Sequence, residues 1–196
     1  MCRPSMWNVG RGGQNGIRFL FILATIGCLF SAVTVRANDW DANGASPPNG
    51  TFQVANNWNP NAVPGTTDTA DFNISDTYTV TFNGIAGTAV LDVLAGDVSF
   101  ESDSIFLRTY NVTTGLAQAS IDGGTLRVGD AGSPVFLNVT NLDMGIASPG
   151  TLYVDGVDSR LDADVTQIDA GSAATLFLQN SATANKGDRG VEWETN

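Results

Sequence analysis

The sequence predicts an all-β fold, a short β-solenoid built of stacked parallel coils. A phrase recurs along the chain: Gly124-Thr-Leu-Arg-Val128, Gly150-Thr-Leu-Tyr-Val154 and Ala174-Thr-Leu-Phe-Leu178. The leucines Leu126, Leu152 and Leu176 lie 26 and then 24 residues apart. A unit this short cannot bury its own apolar face, so successive units must stack. Within each unit the order is small, Thr, apolar, variable, apolar, a period of two that belongs to a strand. Nowhere does a helical period run for a useful length, and helix-forming residues never concentrate.

Taken in order, residues 1–37 stand apart. Arg3, Arg11 and Arg18 precede an apolar run from Phe19 to Val33, and Val35-Arg36-Ala37 offers small side chains at the two positions a signal peptidase reads. This is the pattern of a secretory signal peptide cut between Ala37 and Asn38. The run spans about 15 residues where a membrane-spanning helix needs about 20. It also continues through Leu29 and Phe30 beyond Cys28, against the polar turn a lipoprotein cleavage site would show there. No membrane span is expected after cleavage.

Residues 38–70 form a cap and lead-in, rich in Asn, Gly and Pro with isolated aromatics Trp40, Phe52 and Trp58. Strands here should be short and irregular. From 71 to 184 the solenoid is expected. Tyr78 to Phe82 alternates cleanly, and Ala89 to Leu94, Asp97 to Phe100, Ser104 to Leu107, Val135 to Val139 and Leu161 to Ile168 are further strand-like runs between Gly, Asn, Asp and Ser clusters. Leu142-Asp-Met144 precedes the second phrase as Thr166-Gln-Ile168 precedes the third, with Leu116 to Ile121 in the matching place before the first. Val98-Ser-Phe100 and Val80-Thr-Phe82 read as weaker echoes upstream. About five coils at a strand spacing of about 4.8 Å follow. Residues 185–196 form a mostly polar tail.

Composition narrows the function classes. Beyond Ala37 the chain has 20 acidic residues against 5 basic ones, a net charge of −15. Nucleic acids and anionic membrane surfaces demand a basic footprint, so neither is an expected partner. Both cysteines, Cys2 and Cys28, precede the predicted cleavage site, which leaves an exported domain held by its core alone. There is no histidine, which removes the commonest general base and every Ser–His or Cys–His mechanism.

The stretch from Gly150 to Leu161 and that from Val165 to Leu176 resemble the repeats of autotransporter-passenger-like and PEP-CTERM-associated bacterial surface proteins. The N-terminal order Trp40, Gly50-Thr-Phe52, Asn57-Trp58, Pro64-Gly65, Asp68-Thr-Ala70 and Phe72 is similar to their leading segment. The resemblance implies a right-handed β-helix at, or released from, a bacterial cell surface, with no assigned catalytic residues.

Several acidic pairs invite a chemical reading: Asp155 with Asp158, Asp162 with Asp164, Asp122 with Asp130, and Glu101 with Asp103. Carboxylates in tight turns are hard oxygen ligands of the kind calcium prefers. Asp also populates turns because it caps its own backbone, and no run matches a known calcium repeat, so the turn reading is favoured. No other cofactor is expected. Trp40 and Trp58 could stack on sugar rings, or could plug the open end of the coil stack; the plug is favoured. Basic residues near these acids are few, namely Arg108, Arg127, Arg160, Lys186 and Arg189. Arg127 and Tyr153 fall in the outward, replaceable slot of the repeat. The expected function is therefore an exported structural or adhesive surface protein presenting an acidic face, without catalysis. Its expected partners are extracellular polysaccharide or other surface proteins. The alternative is a carbohydrate-binding or carbohydrate-cleaving β-helix, with calcium as its candidate ion.

Overall fold

The computed structural model describes residues 36–168 and 171–186. The signal-peptide reading of residues 1–37 thus lies outside the described residues except for Arg36 and Ala37, as does the tail beyond Lys186.

The chain enters on β1 (Ala37–Trp40), and the first coil then holds β2 (Gly50–Thr51), β3 (Trp58–Asn59) and β4 (Thr69–Phe72), the last stacked one coil beyond β1; two 3-10 turns lie at Ala42–Gly44 and Ala55–Asn57. The second holds β5 (Thr77–Phe82), β6 (Ala86–Gly87) and β7 (Val90–Val93), and the third β8 (Asp97–Ser102), β9 (Arg108–Val112) and β10 (Gln118–Ile121). In the next two coils the second and third strands merge. These are β11 (Thr125–Val128) with β12 (Val135–Met144), and β13 (Gly150–Asp155) with β14 (Arg160–Ile168). β15 (Ala174–Gln179) and β16 (Thr183–Lys186) follow. The merger has a local cause. Between β9 and β10 the chain turns at Gly115 and Ala117, both at positive φ, whereas only Thr140 separates the two halves of β12.

Two sheets wrap one core. One runs β15-β13-β11-β8-β5-β2; the other runs β16-β14-β12-β10-β7-β4-β1-β3, with β6 and β9 leading into β12. Every pairing is parallel except β3 with β1. The fold is a parallel β-solenoid of about five turns.

Register follows the repeated phrase. Leu126 pairs with Leu152 and Leu152 with Leu176, while Val128, Val154 and Leu178 form the neighbouring column. Upstream the first column continues through Val98 to Tyr78 and the second through Phe100 to Val80. The echo at Val98-Ser-Phe100 is therefore correct, but its partner is Tyr78-Thr-Val80. Reading Val80-Thr-Phe82 instead shifts the coil by one in–out pair, which alternation alone cannot detect. Leu126 and Leu152 are fully buried, and Leu176 and Leu178 are partly buried against the same core.

The small residue opening each phrase has a steric reason. A Cβ on Gly150 would fall on the carbonyl oxygen of Ile121 in the coil below. That is the close backbone approach which keeps glycine inside a strand.

Aromatics close the N-terminal end. Trp40 and Trp58 face each other across the antiparallel β1–β3 pair, edge to face at 5.0 Å. Phe52 packs on Trp58 at 4.9 Å, and Phe82, Phe100 and Tyr110 carry the cluster inward. The indole N–H groups donate to the carbonyls of Pro48 and Phe52, so these buried donors are satisfied. Residues 38–70 are more than a cap, since β1 and β4 belong to one sheet and β2 to the other.

Two expectations need correction. Ser104 to Leu107 is not a strand; it is the corner between β8 and β9, with Ile105 78% and Phe106 70% exposed. The last strand runs to Lys186, so the solenoid does not end at residue 184.

Candidate functional site

A strand stacked in register presents the same outward position again one coil later, so surface chemistry on this fold comes in columns. Three columns stand out.

The first is acidic. Asp39 on β1, Asp71 on β4 and Asp92 on β7 pair in series, and Ser120 and Asp143 continue the column. Asp71, Asp92 and Asp143 sit between inward apolar neighbours: Ala70-Asp71-Phe72, Leu91-Asp92-Val93 and Leu142-Asp143-Met144. Paired strands lie about 4.8 Å apart, so these carboxyls stand side by side along the stack. Asp92 is pushed up to about 6, first by burial, then by the charge of Asp71 and a hydrogen bond with it. Asp71 is also raised, by burial and by the Asp39 charge, while its hydrogen bond with Asp92 acts the other way. The two carboxyls therefore titrate as a coupled pair, with Asp92 raised by burial and by its neighbour's charge.

The second column is of amides with one carboxylate among them. Asn111, Asn138, Asp162 and Asn185 pair in series on β9, β12, β14 and β16. Asn138 Nδ2 donates to Asn111 Oδ1 at 3.0 Å, and Asn185 Nδ2 donates to Asp162 Oδ1 at 2.9 Å. The third column joins charge to aromatic faces. Arg127 Nε donates to Asp97 at 2.9 Å, and its guanidinium lies 4.1 Å over the ring of Tyr153. Tyr153 in turn stacks on Phe177 at 4.7 Å and 11°. Arg127 and Tyr153 face outward as expected, yet each is bound to its neighbours along the stack. A surface hollow lined by Ser75, Asp76, Thr77, Gly96 and Asp97 lies beside the Arg127–Asp97 pair.

The residues singled out in the sequence are dispersed. Trp40 is 1% and Trp58 0% exposed, so both are core plugs and neither offers a ring face to a sugar. Asp155 accepts a hydrogen bond from Asn180 Nδ2. Asp158 occupies a left-handed turn position at φ 70. Asp162 is bound by Arg160 and Asn185, and Asp164 is exposed on β14. Asp122 caps a turn of the following coil through the backbone N–H groups of Ala147 and Ser148, and Asp130 caps its own turn at Gly132 and Ser133. Asp103 pairs with Arg108, whereas Glu101 is raised by burial and by the Asp130 charge against a hydrogen bond from Thr79. Among the described residues no three acidic side chains are placed to share a metal ion.

Sequence reasoning missed the column Asp39, Asp71, Asp92. Its signal was present as apolar–Asp–apolar triplets at Asp71 and Asp92, but Asp39 follows Asn38 and the steps along the column are 32 and 21 residues (71 − 39 and 92 − 71), so no strict period marks it. No protein-family model, curated protein or solved structure matches the chain.

Proposed function

We propose that the protein is an exported structural or adhesive surface protein that works by presenting columns of repeated side chains, with no turnover. What supports the reading most is the register: outward chemistry repeats from coil to coil while inward positions are spent on a shared core. Acidic, amide and aromatic columns of this kind match extended, repetitive partners such as polysaccharide chains or other surface proteins. Among the described residues Asn38, the predicted mature N-terminus, is the first with a side chain turned into the core, where it donates to the carbonyl of Ala62.

Two measurements test this. Mass spectrometry of the secreted and envelope fractions is expected to find Asn38 as the first residue; an intact leader in the cytosol would reject export. A polysaccharide array, read for binding and for released product, is expected to show binding at most.

A second reading is favoured by one observation. The Asp92 carboxyl is raised to about 6, first by burial and then by Asp71 beside it, the direction a general acid for glycoside cleavage needs. Product release on the array, abolished by Asp92→Asn, would establish this reading in place of the first.

A further inference from the structure

An asparagine followed by glycine is open to attack by its own backbone. The attacking atom is the glycine nitrogen, and glycine has no Cβ to obstruct the approach. The described residues contain three such pairs: Asn43-Gly44, Asn49-Gly50 and Asn83-Gly84. The fold treats them differently.

Two of the pairs are held away from reaction. The Gly44 N–H donates to the Asp41 carbonyl at 2.9 Å, inside a 3-10 turn. Asn49 Oδ1 accepts from the Thr79 N–H at 2.7 Å, and Gly50 belongs to β2, packed against the side chain of Asn57. Asn83-Gly84 instead forms the corner between β5 and β6. Asn83 is exposed, and a Cβ on Gly84 would meet nothing within 4 Å. Neither the Asn83 side-chain amide nor the Gly84 N–H has a hydrogen-bond partner among the described residues. The rest of this corner is fixed. Gln53, one coil earlier, accepts from the Asn83 N–H at 3.2 Å and donates to the Gly84 carbonyl at 3.3 Å.

We infer that Asn83-Gly84 is a site of self-modification that converts Asn83 to isoaspartate. The Gly84 nitrogen loses its proton to water and attacks Asn83 Cγ. The new N–Cγ bond closes a cyclic imide while the Cγ–Nδ2 bond breaks and ammonia leaves. Water then adds to an imide carbonyl. Breaking the bond from the nitrogen to the main-chain carbonyl carbon of residue 83 gives isoaspartate; breaking the new N–Cγ bond gives aspartate. Isoaspartate carries the chain through Cβ, so it inserts a carbon between the two groups that Gln53 holds. It also frees a carboxylate beside Ile85, which is 78% exposed. The product therefore loosens the second coil from Gln53 and makes an apolar corner anionic.

The test uses the full chain, kept folded in mildly alkaline buffer and sampled over time. Peptide mapping by mass spectrometry, with enzymatic methylation of isoaspartyl carboxylates as a second readout, is expected to find Asn83 converted well before Asn43 or Asn49. In urea, which removes the fold, all three are expected to react. Gly84→Ala keeps Asn83 and should slow the conversion about tenfold, the effect of a barrier higher by about 1.4 kcal/mol. Isoaspartyl chains, separated by anion exchange, should melt below the unmodified ones. An Asn83 that stays intact in the folded chain while the unfolded chain reacts overturns the inference. So does an unchanged rate in Gly84→Ala. Equal conversion of Asn43 or Asn49 in the folded chain, or their silence in urea, overturns the selection by the fold. Equal melting of the separated chains overturns the loosening at Gln53.

Discussion

Asp92 is the residue at which this fold meets pH most directly. Its carboxyl is raised from the ordinary 3.8 to about 6 in the folded chain. The folded state therefore favours its protonated form. That contribution is complete below about pH 4 and is lost as pH rises through about 6. After allowance for its solvent exposure the effect is about 1 kcal/mol, or about 2–4 °C in a chain of this size. Melting temperatures at pH 4.5 and 7.5 should thus differ less for Asp92→Asn than for the unaltered protein, with the variant the more stable at pH 7.5. The core leucines make a second residue-scale case. Leu126→Ala and Leu152→Ala each remove a fully buried side chain and should cost about 2–5 kcal/mol in denaturant unfolding. Leu176→Ala, at a partly buried position of the same column, should cost less than either.

At the scale of the element, the opening position of each repeat decides how closely two coils can approach. Gly150→Ala drives a Cβ into the Ile121 carbonyl, whereas Gly84 has open space around it and no positive φ. Thermal unfolding should show a clear loss for Gly150→Ala and a change within about 0.5 kcal/mol for Gly84→Ala. The corner at Ile105 and Phe106 teaches a related point. Ser102 Oγ donates to the Phe106 carbonyl and Asp103 pairs with Arg108, so local polar contacts hold a turn where a short apolar run suggested a strand. Such a run has too few residues for its period to distinguish strand from exposed corner.

For the molecule as a whole, the acidic turns divide the structural reading from the ionic one. Asp122 and Asp130 each have one carboxylate oxygen, Oδ1, engaged by two backbone N–H groups of turns. Adding a chelator should therefore leave the melting temperature unchanged. A calcium ion at a hundredfold excess over its dissociation constant would contribute about 2.7 kcal/mol, so a sharp drop in chelator would overturn the turn-cap reading. Moderate salt should raise the melting temperature, since screening relieves repulsion within a chain of this net charge.

The stacked all-β fold, the leucine ladder and the tryptophan plug were legible in the residues, because they depend on local period, residue size and turn chemistry. A strand announces its two faces by alternation, and a coil announces its length when the same phrase returns. The acidic column Asp39, Asp71, Asp92 and the amide column through Asn138 were decided by register alone. Each joins residues from coils of unequal length, so no fixed spacing marks them in the chain. Their partners are fixed only when backbone hydrogen bonds align one coil on the next. The same holds for the raised carboxyl of Asp92, which burial and the Asp71 carboxylate one strand away push up.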